Sequence, residues 1–180
     1  MAKYLFKIVS IGSGAVGKTS LIRRFATGKF QMSYLPTLGV DITSKDLEIQ
    51  GEEVKLICAD FAGQEHFGKI RGNYYAGANG CLLVFDLTRK ESFKDCAGWL
   101  NEFRMNVPDH DKTPLILLGN KADLLKEVPR DVTRAEINKF CKTEGLLYYE
   151  TSAKTGDNVV TAFNELASRI MALRVQSEQE

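Results

Sequence analysis

The stretch "YLFKIVSIGSGAVGKT", residues 4–19, decides the fold. Its first eight residues, "YLFKIVSI", form a short apolar run that ends at a glycine and reads as a buried strand. The remainder, "GSGAVGKT" at 12–19, fits G-x-x-x-x-G-K-[ST] and opens a helical pattern, which is the context the motif needs. Gly12, Gly14 and Gly17 let the backbone curl so that successive N–H groups point inward around phosphate oxygens. The dipole of the following helix favours the same anion. Lys18 can neutralise β- and γ-phosphate charge, and the Thr19 hydroxyl can ligate Mg²⁺. A glycine-rich turn with a chance lysine is the competing reading, and the strand-before, helix-after context argues against it. The motif specifies a nucleoside triphosphate without naming the base or the reaction.

Working outward, "CLLVFDL" (81–87), "LILLG" (115–119) and "LLYYE" (146–150) read as further buried strands. Between them Phe93, Cys96, Leu100 and Phe103 recur at three and four residues, as do Val159, Phe163, Leu166 and Ile170, so each set falls on one helix face. Strand–helix alternation of this kind gives a mainly parallel sheet covered on both faces. In "DITSKDLEIQGEEVKLICAD" two strand-like runs flank Gly51, which predicts a hairpin and one antiparallel strand. Asp60 closes that segment and can hold Mg²⁺ directly or through a water. Alone it is a polar strand terminus; beside a phosphate loop the metal role is the stronger reading. The residues after Leu173 are polar and read as a frayed tail.

Bulk composition narrows the classes. A chain of 180 residues is one domain's length, and such a domain buries roughly 70% of its unfolded surface without needing a disulfide or structural metal. With 24 basic and 23 acidic side chains the net charge is +1, which lacks the concentrated basic patch of a nucleic-acid binder. Cys58, Cys81, Cys96 and Cys141 are scattered, with no CxxC pair, and read as buried small hydrophobes of a reducing compartment. No run approaches about 20 apolar residues, and the N-terminus lacks signal-peptide architecture. Ala2 stands where myristoylation needs glycine, and "ALRVQSEQE" holds no prenylatable cysteine. The expectation is a cytoplasmic protein without its own lipid anchor, reaching a membrane only through a partner or a missing lipidated tail.

"GNKAD" (119–123) follows a strand at the carboxyl edge, where ligands sit in open α/β sheets. Guanine presents N1–H and its N2 amine side by side, and the two oxygens of Asp123 can accept both. Adenine would leave that carboxylate unpaired, at about 1–3 kcal/mol or more. Asn120 and the Lys121 stem can tie the loop and cover the base. "TSAK" (151–154) follows the last strand, where the Ala153 N–H could donate to guanine O6. Either tetrapeptide alone is an ordinary polar loop; both after strand ends, downstream of a phosphate loop, point to guanine.

These blocks, in this order, resemble the small GTPase (Ras-like) superfamily over about residues 3–172. "YLPTLGVDI", "GNYYAGANGCLLVFDLT" and "ESFKDCAGWLNEF" look most like Rab proteins, with Ras-type features second. The resemblance implies a P-loop NTPase fold, a Ras-like G domain with a six-stranded mainly parallel sheet, one antiparallel strand and helices on both faces. It implies a domain over 1–172 with a tail over 173–180, and a monomer. It implies GTP or GDP held by Gly12, Ser13, Gly14, Ala15, Val16, Gly17, Lys18, Thr19 and Ser20, with Asn120, Lys121, Asp123, Ser152, Ala153 and Lys154 at the base. Mg²⁺ would sit on Thr19, Thr37 and Asp60. "YLPT" (34–37) resembles the first switch, with Tyr34 at the nucleotide and Thr37 sensing the γ-phosphate, while Phe30 stacks on guanine. "DFAGQE" (60–65) resembles the second, with Gly63 as γ-phosphate sensor and Gln64 orienting water. Gly14 would stand where a side chain crowds Gln64. Effector, exchange factor and GTPase-activating protein would dock on residues 34–77.

Four departures stand out. Ile42 and Ala59 replace aromatic residues of the Rab effector patch, C-terminal cysteines are missing, and Phe61 stands where a small residue is usual. Strand alternation turns Asp60 and Phe61 to opposite faces, so Phe61 is expected to pack beneath the second switch or against the adjacent helix. The expected activity is a slow GTP-hydrolysing switch in Rab-like trafficking or signalling, since the core motifs show no arginine finger in cis. A guanine-nucleotide-binding scaffold (pseudo-GTPase) locked in one state is the alternative, and a P-loop ATPase or kinase is a weaker one that Asp123 opposes.

Overall fold

A computed structural model describes residues 2–31, 37, 39–61 and 68–179, with the side chains of 68–71 and 110 outside that description. The chain order is β1 (Tyr4–Ile11), α1 (Lys18–Thr27), β2 (Val40–Ile49), β3 (Glu52–Phe61), α2 (Gly68–Tyr75), β4 (Gly80–Asp86), α3 (Lys90–Lys94), α4 (Cys96–Asn106), β5 (Leu115–Asn120), α5 (Arg134–Glu144), β6 (Leu147–Glu150) and α6 (Val159–Gln179). The strands form one six-stranded sheet in the order β2-β3-β1-β4-β5-β6. All neighbours are parallel except β2 and β3, which pair antiparallel from Val40 opposite Phe61 to Ile49 opposite Glu52. Gln50 (φ 54) and Gly51 (φ 82) turn that hairpin with two left-handed residues, the conformation that matches strand twist.

Each face of the sheet carries its own core. On one, α1 and α6 bring Leu21, Phe25, Phe163, Leu166 and Ile170 onto Phe6, Ile8, Leu56 and Val84. Phe25 and Phe163 stack there at 4.1 Å between centroids. On the other, Tyr75, Leu100, Phe103 and Ile137 cover Val9, Ile11, Ala59, Phe61, Leu83 and Phe85. β4 lies at the centre and every residue of it is buried, which explains its unbroken apolar run. The expected face of Phe93, Cys96, Leu100 and Phe103 is shared by two consecutive helices that meet at Asp95, with Phe93 only partly covered. Burial pushes the thiols of Cys58 (to about 12) and Cys81 up, as expected of small hydrophobes in a core.

The segment expected to fray is helical instead. α6 runs on to Gln179, Val175 packs against the core, and Arg174 pairs with Glu178 one turn on at 3.0 Å. Arg, Gln and Glu are good helix formers, and such spaced pairs add to them. Their polarity concealed the end of a helix whose apolar face is carried mainly by its earlier residues.

β1 ends where the sheet order reverses, since the chain continues to β2 and β3 on one side and β4 lies on the other. The loop 12–17 leaves the carboxyl edge at that point, and the carboxyl ends of β3, β4, β5 and β6 lie on the same edge.

Candidate functional site

Loop 12–17 is shaped by left-handed backbone at Gly12 (φ 137), Ala15 (φ 61) and Gly17 (φ 99). A Cβ at Gly12 would strike the Val84 carbonyl, and one at Gly17 would strike the Asn120 amide, so both positions require glycine twice over. The third left-handed residue is Ala15 rather than Gly14, a placement the glycine pattern did not signal. Lys18 is buried and donates from Nζ to the carbonyls of Gly12 (2.7 Å) and Ser13 (2.9 Å), so its ammonium caps the loop. A buried cation on two carbonyls at the end of a helix N-terminus makes the loop an anion-seeking cradle.

Three segments converge beside it. Thr19 Oγ1 of α1 and Thr37 Oγ1 lie 2.9 Å apart, and Thr19 donates to Asp60 Oδ2 at the end of β3. Thr37 Oγ1 also reaches Asp60 Oδ2, at 3.4 Å. Burial raises the Asp60 carboxyl above its ordinary range, partly offset by Thr19 and by the charge of Lys18. Its other oxygen, Oδ1, is buried without a hydrogen-bond partner. An orphaned carboxylate oxygen next to two hydroxyls is a ready place for a small hard cation. One carboxylate with two hydroxyls suits Mg²⁺, which keeps waters and phosphate oxygens in its shell. Among the described residues no group of three or more His, Cys, Asp or Glu side chains forms an all-protein metal cage.

The loops after β5 and β6 meet at Asn120. Its Nδ2 donates to the Val16 carbonyl (2.9 Å), and its Oδ1 accepts from Thr151 Oγ1 (3.2 Å) and the Ala153 N–H (3.3 Å). Asn120 is therefore the rivet between the phosphate loop and both base loops. The Ala153 amide, expected to face guanine O6, here lies on Asn120. Ser152 Oγ donates to Asp123 Oδ1 at 2.6 Å, and among the described residues no side chain bonds the second carboxylate oxygen. Lys121 adopts φ 67, and its Nζ pairs with Asp86 Oδ2 at 2.7 Å. Phe30 is half-buried against the α1–α6 core, Ser20 is half-buried on α1, and Lys154 is exposed. Tyr34, Gly63 and Gln64 lie outside the described residues.

The Ras family matches residues 7–172 of the chain. Ras-related protein Rab-9A of Mus musculus is 41% identical over 177 residues, 97% of this chain and 87% of its own. Ras-related protein Rab-30 of Homo sapiens is 43% identical over 169 residues, 94% of this chain and 81% of its own. Ras-related protein Rab-13 of Mesocricetus auratus is 40% identical over 168 residues, 93% of this chain and 81% of its own. This chain belongs to the Ras family. It is a Rab-like small GTPase, a GTP hydrolase with the six-stranded fold of its class.

In this GTPase Phe61 is buried (1% exposed) on the face opposite Asp60. Its ring meets Tyr74 (6.0 Å) and Tyr75 (5.6 Å) of α2 edge-on, and Tyr75 continues to Phe103 of α4 at 5.7 Å. The ring packs against the adjacent helix, as strand alternation predicted, and does not enter the Thr19–Thr37–Asp60 cluster.

Sequence reasoning missed a set of contacts at the rim. Asp86, at the end of β4, holds Lys121 and accepts from the Thr88 N–H (2.9 Å) and hydroxyl (2.7 Å). Burial pushes the Asp86 carboxyl up, but Lys121 and Thr88 outweigh it, so the group lies below its ordinary range. Arg89 donates to the Gly14 carbonyl at 2.5 Å. Ser13 Oγ donates to Asp95 at 2.7 Å and accepts from Trp99 Nε1 at 3.4 Å. An acid at the carboxyl end of a central strand was the available signal for Asp86. The others act across long sequence separations that no local pattern marks.

Proposed function

We propose that this GTPase is a guanine-nucleotide switch that binds GTP or GDP with Mg²⁺, hydrolyses GTP slowly, and recruits effectors in its GTP state in Rab-like trafficking or signalling. The convergence of Thr37, Thr19 and Asp60 carries the proposal. It joins a residue from the first switch segment to the phosphate loop and to the end of β3, so that one ligand can govern all three. Lys18 and the loop N–H groups stabilise charge on the terminal phosphates. Mg²⁺ on Thr19, Thr37 and Asp60, when bound, neutralises phosphate charge. Gln64 orients the attacking water. Thr37 and Gly63 hold both loops in place while the γ-phosphate is present, and its loss releases them.

Asp123, with one oxygen on Ser152, reads guanine together with Asn120, Lys121 and Ala153, and Phe30 and Tyr34 flank the nucleotide. Effector, exchange factor and activating protein bind residues 34–77 of a monomer. Packing of Phe61 away from the metal cluster supports a retuned second switch over a locked scaffold. Among the described residues no helix is long and apolar enough to cross a membrane. The test is equilibrium binding of fluorescent GDP and GTP, with and without Mg²⁺, against excess ATP. Tight Mg²⁺-dependent guanine binding that ATP does not displace is expected, and displacement by ATP would overturn the assignment. Gly14→Val should retain binding and suppress hydrolysis.

A further inference from the structure

The rim of the phosphate loop carries a contact outside the switch mechanism. Arg89 sits in the turn between β4 and α3, and its Nη2 donates to the carbonyl of Gly14 at 2.5 Å in a partly buried setting. Its backbone is fixed on both sides. The Arg89 N–H bonds to the Asp86 carbonyl (3.0 Å), and the Arg89 carbonyl accepts from Ser92 Oγ (2.6 Å). The guanidinium is thus aimed by the same turn whose Asp86 holds Lys121 of the base loop. One residue earlier in the loop, Ser13 is tied to Asp95, so positions 13 and 14 are both braced by the residues that flank α3.

The chemistry follows from the peptide unit. In a trans peptide the C=O and the next N–H point in opposite directions. With the Gly14 carbonyl held on Arg89, the Ala15 N–H is directed away from Arg89. Ala15 is left-handed (φ 61) directly after Gly14, which is not, the alternation that turns successive N–H groups to one concave side. A charged donor on the carbonyl also withdraws density from the amide, which makes that N–H a stronger donor to an anion. We propose that Arg89 is a positioning residue acting in cis, which orients and polarises the Gly14–Ala15 peptide so that the Ala15 N–H binds the terminal phosphates of the nucleotide. This rests on the nucleotide occupying loop 12–19 as proposed above.

The test compares Arg89→Ala, Arg89→Gln and Arg89→Lys with the parent in GDP and GTP dissociation, single-turnover hydrolysis and thermal unfolding. Loss of one charge-assisted hydrogen bond corresponds to about tenfold, so Arg89→Ala should release GTP about tenfold faster and hydrolyse it more slowly. Arg89→Lys keeps the charge and should recover most of the loss. Arg89→Gln keeps a neutral donor and should fall between Lys and Ala. Unchanged dissociation and turnover in Arg89→Ala would overturn the proposal. So would defects of equal size in all three variants, which would mark a purely structural role for the turn. A parent that fails to bind guanine nucleotide would instead overturn the nucleotide assignment itself.

Discussion

Truncation of Phe61 should weaken the fold far more than it weakens the nucleotide site. The ring is fully buried between β3 and α2 and makes edge contacts to both Tyr74 and Tyr75. Phe→Ala in a packed core costs about 3–5 kcal/mol through lost transfer energy and the cavity left behind. Phe61→Leu keeps much of the apolar volume but loses two ring–ring contacts of about 0.5–1.5 kcal/mol each, or about 1–3 kcal/mol together. For a domain of this size each kcal/mol lowers Tm by about 2–4 °C, so Phe61→Ala should fall by about 6–20 °C. The assay is thermal unfolding of GDP-loaded protein at one saturating GDP and Mg²⁺ concentration, because bound ligand itself raises Tm. GDP affinity, measured separately, should change by much less than stability, since Asp60 faces the other side of the strand. A Phe61→Ala protein within about 1 kcal/mol of the parent in stability, yet strongly altered in GDP affinity, would refute the packing account and place the ring in the site.

Gly17→Ala should abolish nucleotide binding and destabilise the protein, because φ 99 is strained for alanine and its methyl would strike Asn120; a binding titration and an unfolding curve check both. Asp123→Ala should reduce preference for GTP over ATP by about 10- to 100-fold, measured by competition, through loss of the acceptor that guanine needs. Asp86→Asn should weaken guanine-nucleotide binding by releasing Lys121, seen as faster GDP dissociation. The Asp86 carboxyl is depressed in the folded state, so its stabilising contribution is present above the ordinary aspartate range and is lost as pH falls through the depressed value. Nucleotide-free parent protein should therefore lose more stability on acidification than Asp86→Asn does, as read by Tm against pH.

The residues that announced the fold were those whose role is local. Gly12, Gly17 and Lys18 act within one turn of backbone, and β4 buries an apolar run from Cys81 to Phe85, so strand, loop and helix could be read in order. Asp60 and Phe61 separated onto opposite faces by alternation alone. What stayed hidden depends on tertiary meeting points. Arg89 reaches Gly14 across 75 positions, and Ser13 reaches Asp95 across 82. Asn120 read as a residue that ties its loop and covers the base, and its position between Val16, Thr151 and Ala153 emerged only when three loops were set side by side. Ala15, rather than Gly14, takes the left-handed conformation, which the glycines of the loop did not mark. The end of α6 was missed because its stabilisation comes from helix propensity and charge pairs rather than an apolar stripe.

The most direct measurement is single-turnover hydrolysis by the purified protein loaded with GTP and Mg²⁺, followed by phosphate release. Slow but measurable turnover, abolished in Gly14→Val with GTP binding retained, is the predicted result. Tight GTP binding with no phosphate released would contradict the switch and leave a GTP-locked scaffold.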